Sequence, residues 1–148
     1  MSFATYKKLD VGCEQLEVAL RIFFEGKEYF AVITLAGAAE ELLGAHLKAR
    51  GEMTTLEELV KGAVRISAAL PGKPAQAKDL FKVASYSRNA SKHMDNAIDS
   101  TMRIYLKRDA TDQLGRAVDN YYRLMEHYDL PETELVGRFN HYRVSDAA

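Results

Sequence analysis

The sequence predicts an all-α protein, an antiparallel bundle of four to five helices. Apolar residues recur at helical steps of three and four almost throughout, no segment alternates like a half-buried strand for long, and the links between periodic stretches are short. No internal repeat and no second compositional zone is present, so residues 1–148 read as one domain with its core over about 9–128 and an amphipathic tail over 132–143.

The first helix is expected from about Leu9 to Gly26, with Leu9, Cys13, Leu16, Leu20 and Phe23 forming one stripe and Gly26 as its stop. The second, "KEYFAVITLAGAAEELLGAHLKARG", places Val32, Leu35, Ala39, Leu42 and His46 on its apolar face and ends at Gly51. Its small residues Ala36, Gly37 and Gly44 predict close approach of a neighbouring helix. Thr54 and Glu57 have the spacing of a capping box and open a third helix with the stripe Leu56, Leu59, Ala63, Ile66 and Leu70. "PGKP" breaks the chain, and a fourth helix is expected from about Ala75 to His93. A connection of about 12 residues follows, with extended backbone expected at "MRIYL". The fifth helix is expected to start on Asp109 as N-cap, to carry Leu114, Val118, Tyr121, Met125 and Tyr128 on one face, and to end at Pro131. Leu135, Phe139 and Tyr142 make the tail amphipathic, ready to pack on the bundle or on a partner.

Composition excludes several function classes. With 47% hydrophobic and 28% charged residues the chain is an ordinary globular one, and no apolar run approaches the roughly 20 residues of a membrane span. The expectation is a cytoplasmic protein without a membrane partner. Lys and Arg number 20 against 21 Asp and Glu, so a nucleic-acid contact would have to be local. The single Cys13 cannot close an internal disulfide and reads as a core thiol. No glycine-rich phosphate loop, serine nucleophile motif or Cys-x-x-Cys pair is present, and no cofactor is expected.

The chemistry-bearing stretch is "SYSRNASKHMDN", residues 85–96. On an uninterrupted helix, Leu80, Val83, Ala84, Ser87, Ser91 and Met94 form the apolar face. Arg88, Lys92, Ser85, Asn89 and His93 form the polar one, with Arg88 and His93 at its edges, about 140° apart. Asn89 and His93 are one turn apart and adjacent. A guanidinium and an imidazole so separated do not converge easily on one small group, but a second copy across a twofold axis would complete the set. Histidine can take or give a proton near neutral pH, arginine can hold a phosphate, and Asn89 can orient the imidazole, a set suited to metal-independent cleavage of an RNA phosphodiester. Alone, the hexamer "RNASKH" reads better as a solvated helix face, with Arg88 and Lys92 as surface charges. Tyr86 shares the Asn89–His93 face and could stack on a base or pack in a dimer interface. Lys92 is a further cation beside them. Glu40 and Glu41 read as surface carboxylates, with pairing to Arg88 or His93 as the other reading. His46 reads as a hydrogen-bonded core histidine. His93, Asp95 and Asp99 make too thin a set for a metal site.

On "RNASKH", on "ITLAGAAEELLG" in the second helix and on "AVDNYYRL" in the last, the chain resembles the HEPN superfamily over roughly residues 15–128. The members are helical-bundle proteins, many of them metal-independent endoribonucleases. The resemblance implies a homodimer with both motifs at the interface and RNA as substrate. Arg88 and His93 would be catalytic, Asn89 would support them, and Tyr86, Lys92 and Glu41 would stand in supporting or RNA-contacting positions. Products would carry 2′,3′-cyclic phosphates, and a nucleotidyltransferase-type antitoxin is a partner many members have. Other members keep the fold without cleavage, so a non-catalytic binding or regulatory dimer is the alternative, and a small-ligand bundle a third.

Overall fold

The computed structural model describes residues 1–146, which form seven helices and no strand. Helix α1, Lys8–Glu25, stops where Gly26 turns left-handed at φ 78° and donates its N–H to Phe23 O. Helix α2, Tyr29–Ala49, starts after Glu28, a left-handed non-glycine residue at φ 60°. Its end is a full Schellman arrangement: Gly51 N–H donates to Lys48 O at 2.9 Å and Glu52 N–H to Leu47 O at 3.0 Å. Helix α3, Thr55–Ala69, is opened by the expected capping box, in which Glu57 N–H donates to Thr54 Oγ1 and Thr54 N–H to Glu57 Oε2, both at 3.1 Å.

The expected fourth helix is two pieces, α4 at Ala77–Ala84 and α5 at Tyr86–Ala90. Serines make the break. Ser85 adopts φ −97°, ψ 3° and its hydroxyl donates to Phe81 O at 2.6 Å, while Arg116 Nη2 draws Ala84 O aside at 3.2 Å. Ser91 repeats the hydroxyl bond to Ser87 O, and the helix ends at Ala90, so His93 lies in the turn beyond it. Of the "MRIYL" stretch, residues 102–105 are irregular backbone rather than extended strand, and Leu106 already opens the next helix.

Helix α6, Leu106–Leu124, begins four residues earlier than expected, with Tyr105 rather than Asp109 in the N-cap position. Asp109 is not its N-cap: its own N–H already donates to Tyr105 O at 2.8 Å, and its carboxylate stands in the first turn, where the helix dipole favours an anion. Helix α7, Glu134–Asp146, takes up the tail and buries Val136 and Phe139.

One hydrophobic cluster joins α1, α2, α6 and α7 through Leu16, Leu20, Phe23, Ile33, Leu43, Leu47, Leu114, Val118 and Phe139. Because α2 packs against both α1 and α6, its buried surface is broader than the expected stripe. Ile33, Leu43 and Leu47 are buried, whereas Leu35, Leu42 and His46 are half-buried. His46 Nδ1 is hydrogen-bonded to Leu42 O at 2.7 Å. Against the expectation that no segment approaches a membrane span, α2 is apolar enough by length and composition to cross one; half of that segment is buried inside this fold, and an ion-paired glutamate stands at its middle. The glycines act as close-contact points: a Cβ on Gly44 would stand 3.1 Å from Thr54 Cγ2, and one on Gly12 3.3 Å from Leu42 Cβ.

The α3 stripe does not face the core. Leu59, Ile66 and Leu70 are exposed, and only Thr55 and Val60 of this helix are buried. What anchors α3 is polar: Thr55 N–H donates to Asn120 Oδ1 at 2.9 Å, and Asn120 Nδ2 to Glu40 O at 3.3 Å.

Candidate functional site

The interior of the bundle holds one carboxylate between two arginines. Glu40, in the middle of α2, keeps only 5% of its side chain exposed. It accepts from Arg88 Nη1 at 3.0 Å, Gln113 Nε2 at 3.0 Å and Arg116 Nε at 2.6 Å. Arg116 also donates to Gln113 Oε1 and to Ala84 O, so α2, α4, α5 and α6 meet at this point. A buried carboxylate is tolerable there because its charge is matched and its oxygens are occupied.

Arg88 therefore belongs to the interior rather than to a solvated face, with 13% of its side chain exposed. Gly37 makes room for it; a Cβ there would fall 2.6 Å from Arg88 Cγ. Arg88 Nε lies 3.2 Å from Glu41 Oε1 without hydrogen-bond geometry, leaving that N–H buried and unpartnered. The two neighbouring glutamates, both expected at the surface, divide. Glu40 is buried, because it sits on the side of α2 facing α6, while Glu41 is half exposed and reaches Lys92 Nζ at 3.7 Å.

The expected polar face is thus split by the Ser85 break. Ser85 and Arg88 turn inward toward α2, whereas Asn89, Lys92 and His93 are exposed. Val83 and Met94, expected on the apolar face, are exposed too, at 75% and 65%. Asn89, His93 and Tyr86 line one shallow depression of about 470 Å³ with Lys82, Asp95 and Asp99. Arg88 lines a different one, about 330 Å³, with Glu40, Glu41 and Lys48. Lys92 meets His93 in a third, beside Ser91 and Met102. The Asn89–His93 adjacency is present, with His93 N–H closing the last turn on Asn89 O at 3.1 Å. Within one chain, Arg88 and His93 line separate depressions.

Gln113 and Arg116 are the participants that sequence reasoning missed. The available signal was a glutamate at the centre of the most apolar helix, a position that demands a cation from another helix. Among the described residues, the geometric group suited to a cation is Glu52, Glu126 and His127, whose ligand atoms lie within 4.8 Å of one another. There His127 Nε2 is paired with Glu52 Oε1. His93, Asp95 and Asp99 do not form such a group, and Asp99 Oδ2 instead accepts from Asp95 N–H at 3.1 Å.

No family model, curated protein or solved structure matches the chain.

Proposed function

We propose that the chain is a metal-independent endoribonuclease of the HEPN type that works as a homodimer in the cytoplasm. The observation that carries this reading is the division of labour along one short helix: a guanidinium held by a buried carboxylate on its inner side, and a solvent-presented amide and imidazole, Asn89 and His93, at its outer end. One chain is incomplete for phosphodiester chemistry, and two copies facing each other across α5 would bring two imidazoles to one phosphate.

In that arrangement His93 of one copy takes the proton of the ribose 2′-hydroxyl, whose oxygen attacks phosphorus. His93 of the other gives a proton to the departing 5′-oxygen, leaving a 2′,3′-cyclic phosphate. Asn89 fixes the imidazole, and Arg88, with Lys92 beside it, supplies positive charge for the phosphoryl oxygens. Glu41, 3.2 Å from Arg88 and 3.7 Å from Lys92, tunes both cations. A nucleotidyltransferase-type antitoxin is the protein partner this reading implies.

A second reading has its own observation. Because Glu40 already neutralises Arg88, the motif arginine can serve as a strut in a non-catalytic binding dimer. RNA cleavage in EDTA separates the two. The wild type should release cyclic-phosphate ends, and His93→Ala should lose cleavage while staying folded and dimeric. Cleavage unchanged in that variant would refute the catalytic assignment.

A further inference from the structure

A depression of about 610 Å³ lies beside the motif rather than on it, between α4–α5 and the start of α6. Four cationic side chains line it, Lys82, Arg103, Arg108 and Arg116, against two carboxylates, Asp109 and Asp112. This is a local positive surplus on a chain whose net charge is −1. Of the four, Arg116 is committed to Glu40 and Arg108 approaches Asp109 at 3.4 Å, so Lys82 and Arg103 are the freer pair.

Two tyrosines stand on the same depression, both more exposed than their size favours: Tyr105 at 70% and Tyr86 at 46%. The Arg108 guanidinium lies 4.1 Å from the centre of the Tyr105 ring, over one face of it. The attraction of the guanidinium holds the ring on one face, and the ring's exposure leaves surface for a second π-system. Lys82 and Tyr86 also line the Asn89–His93 depression, so the two hollows are neighbours that share these two side chains.

We propose that this groove binds an unpaired stretch of RNA, with Tyr105 and Tyr86 stacking on bases and Lys82, Arg103 and Arg108 contacting phosphates. The strand would run over Tyr86 toward His93. The inference rests on the ribonuclease reading and adds to it the surface that holds the strand; stacking on tyrosine requires a base face that pairing and neighbour stacking have left free, so the strand on this surface is unpaired.

The test is binding of a short fluorescein-labelled single-stranded RNA, read by anisotropy with His93→Ala protein so that cleavage does not intervene. Tyr105→Ala should weaken binding about tenfold or more, the loss typical of a single stacking platform, and Tyr105→Phe should restore it. Arg103→Ala should weaken binding and lower the salt slope by about 0.7, the value for one phosphate contact on a single strand. Both residues are on exposed irregular backbone before α6, so the variants keep the core. Wild-type affinity in Tyr105→Ala and Arg103→Ala, equal affinity for the duplex of the same sequence, or no RNA binding at all would each overturn the groove assignment. Cleavage by wild-type protein with undiminished affinity in Tyr105→Ala would overturn the groove and leave the ribonuclease standing. Tyr105-dependent binding without any cleavage would establish the groove and remove the ribonuclease.

Discussion

Replacing Glu40 by alanine strands two guanidiniums in the interior. Arg88 and Arg116 keep only 13% and 11% of their side chains exposed, and the partners left to them are Gln113 Oε1, the Ala84 carbonyl and the half-exposed Glu41. Removing one partner of a buried ion pair costs about 3–5 kcal/mol. For a chain of this size each kcal/mol moves the melting temperature by roughly 2–4 °C, so Glu40→Ala should melt about 6–20 °C below wild type. Glu41→Ala, one residue away, removes a carboxylate that is 50% exposed and should cost less than about 1 kcal/mol. Urea unfolding followed by circular dichroism gives both numbers, provided the slope stays unchanged so that the midpoint reports stability. Two variants equal within about 1 kcal/mol would refute the view that Glu40 is the electrostatic centre of the fold.

Two further outcomes follow from the packing. Gly37→Ala should lose about 1 kcal/mol, because its Cβ would meet Arg88 Cγ and Cδ at 2.6 and 2.7 Å while Glu40 pins the far end of that side chain. In an Arg88→Ala background the same change should stabilise by about 1 kcal/mol, since only the helix-propensity gain remains, and a double-mutant cycle reads the change of sign. Tyr121 is buried and donates its hydroxyl to Pro131 O at 2.6 Å; burial first, and then the nearby Cys13 and Glu17, push its pKa up to about 12. The folded state thus prefers the neutral phenol. Its contribution is fully present below about pH 10, the ordinary value, and is lost as pH rises from there through about 12. The stability gap between wild type and Tyr121→Phe should stay constant up to about pH 10 and narrow above it, as urea titrations across that range would record; a gap constant to pH 12 would contradict it.

The sequence is most informative where local chemistry decides. Gly26, Gly51 and the Thr54–Glu57 pair mark helix ends through backbone conformation and short-range hydrogen bonds, and the structure places those ends within a residue or two. It is least informative where a partner from another helix decides. Periodicity alone put Leu59, Ile66 and Leu70 toward a core, yet α3 docks through Thr55 and Asn120, and those side chains face outward. Arg88 read as solvated because hydrophobicity was the only guide; its inward orientation depends on Glu40, forty-eight residues away in sequence. The helix break at Ser85 has a local cause in its hydroxyl but also a distant one in Arg116, which no window of the sequence contains. Of the site, the adjacency of Asn89 and His93 was legible from helical spacing, whereas the separate cavities of Arg88 and His93 were not.

The Arg116 bond to Ala84 O also has a mechanical side. It ties the end of α4 to α6, while Glu40 ties Arg88 to α2, so the short segment carrying Asn89 and His93 is braced from the two best-buried helices at its root. The α3–α4 hairpin beyond that brace buries little: no residue of α4 and only Thr55 and Val60 of α3. Such a hairpin opens at lower free energy than the core it leans on. Its amides should exchange with solvent well before those of α2 and α6, and it can swing or reshape while the Asn89–His93 segment keeps its place.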